Sequence, residues 1–340
     1  MTEETATKLE GLKTSLTQEA QQVRLDLNEL KSGGFIKQTQ RDLFTVRLRC
    51  PGGMVDAAKL SKAAELARKY GRGEVHLSVR QSIEIPYVHY QHLEELAREV
   101  KEVDWSVASC GPRVRVPTAC AGCSYNPNAL VDTQGLCREV DRRFFGTPTG
   151  HGKFKMSLSG CPIDCFRTRE MDLGFQGIVE PLALPERCTA CGLCLKACED
   201  GALKMSSSGE GEPCEGPPVR DPARCTLCGD CIKVCPFDAI VPGKLGWLIR
   251  VGGKHGKHPL FAYEVAQFVS DEGVLALIER TLSWYRENGR GKERIGTTLG
   301  RLGLAKYLIE VVRPLGLEVI ESSKERRRFA AGGNFYPGIA

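Results

Sequence analysis

The chain has 340 residues, 41% of them hydrophobic, and a formal net charge of +5. That length suits two or three compact units with a buried core, and so modest a charge does not by itself point to nucleic acid. No cationic start leads into an apolar stretch, and no apolar run approaches the roughly 20 residues that cross a bilayer. A cytoplasmic protein with no membrane span is the expectation. Sixteen cysteines in so long a chain argue for bound metal over a secreted disulfide scaffold.

Leu9, Leu12, Leu16, Ala20, Val23, Leu27 and Leu30 recur at spacings of three and four. They predict one helical stripe, either a short coiled coil or an amphipathic helix on the protein's own body, stopped by Gly33 and Gly34. Residues 42–50, DLFTVRLRC, alternate: Phe44, Val46 and Leu48 face one way, Arg47 and Arg49 the other. A helix is predicted over residues 55–70, closed by Gly71. Residues 74–80, EVHLSVR, read as a second strand, and Leu93, Leu96, Val100 and Val103 mark a second helix. The order predicts a small α+β unit.

RVRVP at 113–117 and KFKMSLS at 153–159 again set two cations at i and i+2. Arg47, Arg49, Arg113, Arg115, Lys153 and Lys155, with Arg80 on a fourth strand, therefore predict a cationic face for an anionic ligand. A solvated sheet surface normally mixes both signs.

Two stretches, CTACGLCLKAC and CTLCGDCIKVCP, repeat the spacing C-x2-C-x2-C-x3-C. That spacing wraps backbone around a 4Fe-4S cubane, and the fourth cysteine of each run ligates the other cluster. One cluster is expected on Cys188, Cys191, Cys194 and Cys235, the other on Cys225, Cys228, Cys231 and Cys198. Residues 206–220, rich in Ser, Gly and Pro, read as a loop between the runs. After Pro242 one more strand, a glycine-rich basic turn with Arg250 and Lys254, and two apolar-striped helices are predicted.

Outside the repeat stand TACAGCSYNP, with Cys120 and Cys123, and SGCPIDC, with Cys161 and Cys165. Both follow directly on cationic strands. Together with RLRCPGG, SVRQSIEIP and VGGKHGKHP, these stretches resemble the siroheme-containing sulfite and nitrite reductases, specifically the dissimilatory and anaerobic sulfite reductase subunits with an inserted ferredoxin domain. The likeness spans about residues 25–315.

The resemblance implies an α+β fold in five parts. These are an N-terminal helix (1–34), a ferredoxin-like half-domain (35–107), a siroheme and 4Fe-4S domain (108–184 and 243–320), an inserted two-cluster ferredoxin domain (185–242) and a tail (321–340). It implies siroheme and three 4Fe-4S clusters, one of them sharing the thiolate of Cys165 with the siroheme iron. Arg49, Arg115, Lys153 and Lys155 fall on the family's substrate-contacting positions. Arg80, Gln81, Arg250 and Lys254 are placed to meet siroheme carboxylates. The implied activity is six-electron reduction of sulfite to sulfide, with nitrite reduction or a non-catalytic electron-transfer role as the alternatives. An electron-donor protein and a homodimer, or a heterodimer with a related subunit, are the implied partners. The family spaces its first cysteine pair as C-x5-C, which reaches Asn126 here. Cys123 is taken as the replacement ligand, with Cys137 and Cys110 as substitutes.

Overall fold

The computed structural model describes residues 26–205 and 216–320. Most of the amino-terminal leucine stripe and the tail from residue 321 lie outside the described residues. A short helix, α1 (Leu27–Ser32), is capped by the Asp26 carboxylate on the Asn28 and Glu29 amides. It leads into an antiparallel sheet of β1 (Phe35–Lys37), β2 (Leu43–Arg47), β3 (His76–Leu77) and β4 (Ile83–His89), in the order β1-β2-β4-β3.

Helices α2 (Ala57–Tyr70) and α3 (Leu93–Lys101) pack against this sheet. Asp56 caps the first. The apolar stripe of α2 and α3 (Ala63, Leu66, Ala67, Leu96, Val100) meets Phe44, Val46, Leu48 and Ile85, all 2% exposed or less. The predicted second strand is shorter than expected. Residues 78–82 turn back on themselves, with Gln81 at φ +59 and its N–H bonded to the Ser78 carbonyl. Arg80 therefore sits on a hairpin turn, and β4 is the long partner strand.

The second sheet has six strands in the order β12-β11-β10-β7-β6-β5. Its first three, β5 (Thr118–Ala119), β6 (Met156–Ser159) and β7 (Leu173–Ala183), are parallel. The β5-to-β6 crossover carries α4 (Thr133–Phe144), capped by Asp132 on the Gly135 amide. β5 begins only after Pro117, which has no N–H to give a ladder, so RVRVP joins its neighbours through isolated bridges at Arg113 and Val114.

From β7 the chain enters the cysteine-rich segment, where β8 (Leu203–Met205) pairs with β9 (Pro218–Arg220) beside α5 (Leu193–Ala197) and α6 (Asp230–Lys233). It returns through β10 (Ile240–Val251), antiparallel to β7 from Ile240 opposite Ala183 to Val251 opposite Leu173. The whole cysteine-rich segment is thus the tip of one long hairpin. β11 (Tyr263–Val269) and β12 (Glu318–Val319) complete the sheet. Helices α7 (Asp271–Asn288) and α8 (Ile295–Leu302) bury Val274, Leu277, Ile278, Ile295 and Leu299 in a core with Phe154, Met156, Phe175, Trp247 and Ile249. Among the described residues no helix is long and apolar enough to cross a membrane.

Candidate functional site

Strand direction sorts the chemistry. β5 and β6 run side by side in parallel, with Ala119 opposite Leu158. Their amino ends follow Arg115 and Lys155, and their carboxyl ends run straight into Cys120 and, one residue further on, Cys161. Open sheets bind ligands beyond the carboxyl ends of parallel strands. Here that edge holds thiols, and the opposite edge holds cations.

The cationic end opens into a cavity of about 340 Å³ between the two sheets. Lys31, Arg47, Arg80, Arg115, Lys153 and Lys155 line it, with Ser82, Ser109 and Cys110 and no carboxylate. Arg115 spends two nitrogens on the Ser109 and Gly111 carbonyls at 3.0 and 3.3 Å, and its buried Nε has no partner. Arg80 gives one nitrogen to the Val116 carbonyl at 2.7 Å and another to the Met171 sulfur at 3.7 Å. Burial, then Arg115, pull Arg80 down to about 10. Lys155 is pulled down to about 7, first by burial and then by Arg80, Lys153 and Arg294. Lys153, at the cavity's open side, is lowered by partial desolvation ahead of Arg294 and Arg115. Among the described residues no carboxylate pairs with the side chains of Arg80, Arg115, Lys153 or Lys155. An orphaned donor and a lysine that ionises near neutrality fit an anionic guest.

Three residues expected at the ligand are engaged elsewhere. Arg49 lies outside the cavity lining, bonded to the Asp141 carboxylate at 2.7 and 2.9 Å with its guanidinium 3.9 Å from the Phe145 ring centre. β2 ends at Arg47, Leu48 bridges to Val107, and the alternation does not carry on to Arg49. Gln81 spends its amide on backbone, donating to the Gly52 and Ala119 carbonyls and accepting from the Ala119 N–H. It clamps the Pro51–Gly53 turn against β5, and a Cβ at Gly53 (φ +72) would meet Gln81 Nε2 at 2.7 Å. Arg250 is 2% exposed, paired with Glu264 at 2.9 Å and bonded to Thr168 at 2.8 Å and to Gln176. Gln81 and Arg250 are structural clamps. Lys254 stands half-buried on the turn after β10, its backbone paired with Leu260.

Arg47 was expected with a cation-only face, yet it pairs with Glu84 across the sheet at 2.6 Å. Lys31, on α1, reaches the cavity from outside any strand pattern. Asp172 and Arg294 carry no sequence signal either. Asp172 is 0% exposed, pairs with Arg294, and accepts the Lys155 backbone N–H at 2.8 Å, which fixes the strand that presents Lys155. Nothing in the spacing marks them.

At the thiol end, Gly160 donates its N–H to Cys120 Sγ at 3.1 Å. Burial pushes Cys161 up, opposed by the Ile163 amide, and Cys120 and Cys165 are near enough to add to the rise. Cys165 itself is exposed. Cys123 sits exposed on the Gly122–Ser124 turn, and among the described residues no contact ties it to the other three. Neither substitute joins them. Cys137 is sealed in the core, its thiol raised by burial, and Cys110 lines the cationic cavity beside Arg47 at 3.4 Å. The four residues of β6 set Lys155 and Cys161 roughly 13 Å or more apart.

In the hairpin tip one cavity is lined by Cys188, Cys191, Cys194 and Cys235, and another by Cys198, Cys225, Cys228 and Cys231. The fourth cysteine of each run has crossed to the other run's cavity. Among the described residues no three His, Cys, Asp or Glu side chains converge on a single-ion position, so the thiols frame spaces.

Residues 110–318 match the family model for the nitrite and sulphite reductase 4Fe-4S domain, and residues 36–103 that for the nitrite/sulfite reductase ferredoxin-like half domain. The chain is 29% identical over 290 residues to the coenzyme F420-dependent sulfite reductase of Methanocaldococcus jannaschii, covering 84% of this chain and 45% of that protein. It is 29% identical over 294 residues to an anaerobic sulfite reductase subunit of Salmonella typhimurium, covering 80% of this chain and 84% of that one. The fold matches the crystal structure of dissimilatory sulfite reductase I with a TM-score of 0.66 at 23% identity, over 87% of this chain and 75% of that one.

Proposed function

Because this chain belongs to the nitrite and sulphite reductase family, we propose that it is a siroheme-dependent sulfite reductase of the dissimilatory or anaerobic type. It takes sulfite to sulfide with electrons relayed through two ferredoxin-type clusters. The observation that carries this reading is the cavity lined by six cations and no carboxylate, with an orphaned Arg115 Nε. The donor sets support the cofactors: Cys120, Cys161 and Cys165 give three thiolates to one 4Fe-4S cluster, and the two sets of four crossed cysteines suit two more.

Cys165 would hold the siroheme iron, with Arg80 and Lys254 toward its carboxylates. When bound, that cofactor supplies the electron chemistry at its iron. This chain's own residues supply the rest. Arg115 and Lys153 offset the oxyanion's charge. Lys155, with its ammonium ionising near 7, holds a proton at Nζ under neutral conditions and can release it, which a reduction consuming six protons requires. Phe154 and Met156, both 0% exposed, back the two lysines and keep water from behind them. Because cations and thiols occupy opposite ends of β6, the reading includes a second copy of the chain or a related subunit, which brings one chain's cations toward the other's thiols, and an electron-donor protein.

The same cations suit nitrite. Turnover of sulfite and of nitrite by anaerobically prepared protein under reduced viologen separates the two: sulfite is expected to be the faster substrate, and a ratio strongly favouring nitrite overturns the assignment. The exposed position of Cys123 favours a second reading, an electron-transfer protein whose third cluster is incomplete. An iron count distinguishes it, since about thirteen iron atoms per chain are expected for three cubanes plus siroheme and about eight for the insert alone.

A further inference from the structure

The two four-cysteine sets of the insert are equivalent in spacing and unlike in surroundings. Cys228 lies between two anchors on the six-stranded sheet. Val179 on β7 donates its N–H to the Leu227 carbonyl at 3.0 Å. Gly229, at φ +78, approaches so closely that a Cβ there would meet Val179 Cγ1 at 2.7 Å and Leu130 Cδ2 at 3.5 Å. Leu130 in turn donates its N–H to the carbonyl of Gly160 at 2.7 Å, the residue before Cys161. On α6, Lys233 reaches Asn128 Oδ1 at 3.3 Å, on the same loop as Leu130. The Cys228 turn therefore packs on β7 beside the 128–130 loop, and that loop is bonded to the residue before Cys161.

The set Cys188, Cys191, Cys194 and Cys235 faces outward. Cys191 is exposed, and Leu193 and Phe237, which line the same cavity, are 42% and 48% exposed. Such a rim leaves that set open to another molecule, whereas the Cys228 turn is held against Val179 on β7, the strand beside β6, which leads to Cys161.

Resting on the function proposed above, we infer that the insert is an ordered relay. The set Cys188, Cys191, Cys194 and Cys235 holds the entry centre, reduced by a one-electron carrier protein. The set Cys198, Cys225, Cys228 and Cys231 holds the inner centre, which hands electrons to the centre at Cys120, Cys161 and Cys165. Each hop moves one electron: the giving centre is oxidised as the receiving one is reduced, and no bond or proton changes place.

Electron paramagnetic resonance of the loaded full-length protein tests the order. Cys228→Asp and Cys191→Asp each leave three thiolates on one insert cluster and give it a distinct signal. Both altered signals carry broadening from the neighbouring insert cluster; that of Cys228→Asp is expected to carry further broadening from the paramagnet at the third thiol set, and that of Cys191→Asp to carry none. The reverse, or equal broadening, overturns the order and leaves the proposed function standing. A protein with about eight iron atoms and no third centre overturns both. The unaltered loaded protein gives an independent reading: under mild oxidation with a thiol alkylator, peptides carrying Cys188, Cys191 and Cys235 are expected to be labelled before those carrying Cys198, Cys225 and Cys228. Labelling in the opposite order overturns the relay.

Discussion

Arg250 and Lys155 stand at nearly the same level of one sheet, Arg250 opposite Gly174 and Gly174 opposite Ser157, and both are drawn out of water. Their company differs. Arg250 has Glu264, Thr168 and Gln176 around its guanidinium, and Arg294 nearby has Asp172. Lys155 has Arg80, Lys153 and Arg294, opposed by Asp172, which is already paired with Arg294, and among the described residues no carboxylate bonds its ammonium. Burial is common to both, and the partner decides the role. A desolvated cation with its counter-charge supplied is part of the frame. One left without it keeps that charge for a guest and ionises where a proton can be passed at neutral pH.

The sharpest way to break this contrast is Lys155→Met. The proposed role of Lys155 as proton donor predicts a loss of about 10²–10⁴ in sulfite turnover, with the thermal midpoint unchanged or higher because an unpaired buried charge has been removed. Unchanged turnover would erase the distinction between the two cations. Arg294→Met is the converse. It leaves the fully buried Asp172 carboxylate without its partner and is expected to cost about 3–5 kcal/mol of stability, read from urea unfolding.

A pH series sharpens the contrast further. With Lys155 ionising near 7 when folded and near 10.4 when unfolded, the unfolded chain holds the extra proton between those values. Stability of the ligand-free protein therefore rises with pH from about 7 to about 10.4 and gains nothing from this group below 7. The Lys155→Met variant should lack that increment. Sulfite affinity should move the other way and weaken as pH climbs through 7, because the ammonium that attracts the anion is lost. Titration calorimetry at several pH values reads the affinity slope, and urea unfolding at the same pH values reads the stability slope, each against the variant. The smallest effect belongs to Lys31, exposed at the cavity's edge. Lys31→Ala should weaken anion binding by about 1 kcal/mol or less, and the difference should fade in roughly 1 M salt.

What the sequence made readable follows from how local each signal is. The crossed cysteine sets depend on spacing within a dozen residues, and the cavities divide in that same crossed pattern. Alternation finds the extended segments that lead into β5 and β6 and carry Arg115, Lys153 and Lys155. It does not see that Glu84, 37 residues from Arg47, neutralises one member of the set, or that Asp141 in α4 claims Arg49. Arg250 looks as free as Lys155 because Glu264, its counter-ion, lies on the adjoining strand. β7 escapes a sequence reading for another reason: its first seven residues are all buried, and a strand covered on both faces shows no alternation. Gln81 and the Pro51–Gly53 turn stand out as motifs, but their part in clamping the two sheets together depends on Ala119, 38 residues away.

The central claim is that the unpaired cations serve an oxyanion at a tetrapyrrole iron held by Cys165, beside a cluster on Cys120 and Cys161. The most direct measurement is the iron content and the optical spectrum of the pigment extracted from anaerobically purified protein. The account predicts about thirteen iron atoms per chain and an extractable tetrapyrrole. About eight iron atoms, with only the brown of two ferredoxin-type clusters and no extractable pigment, would contradict it.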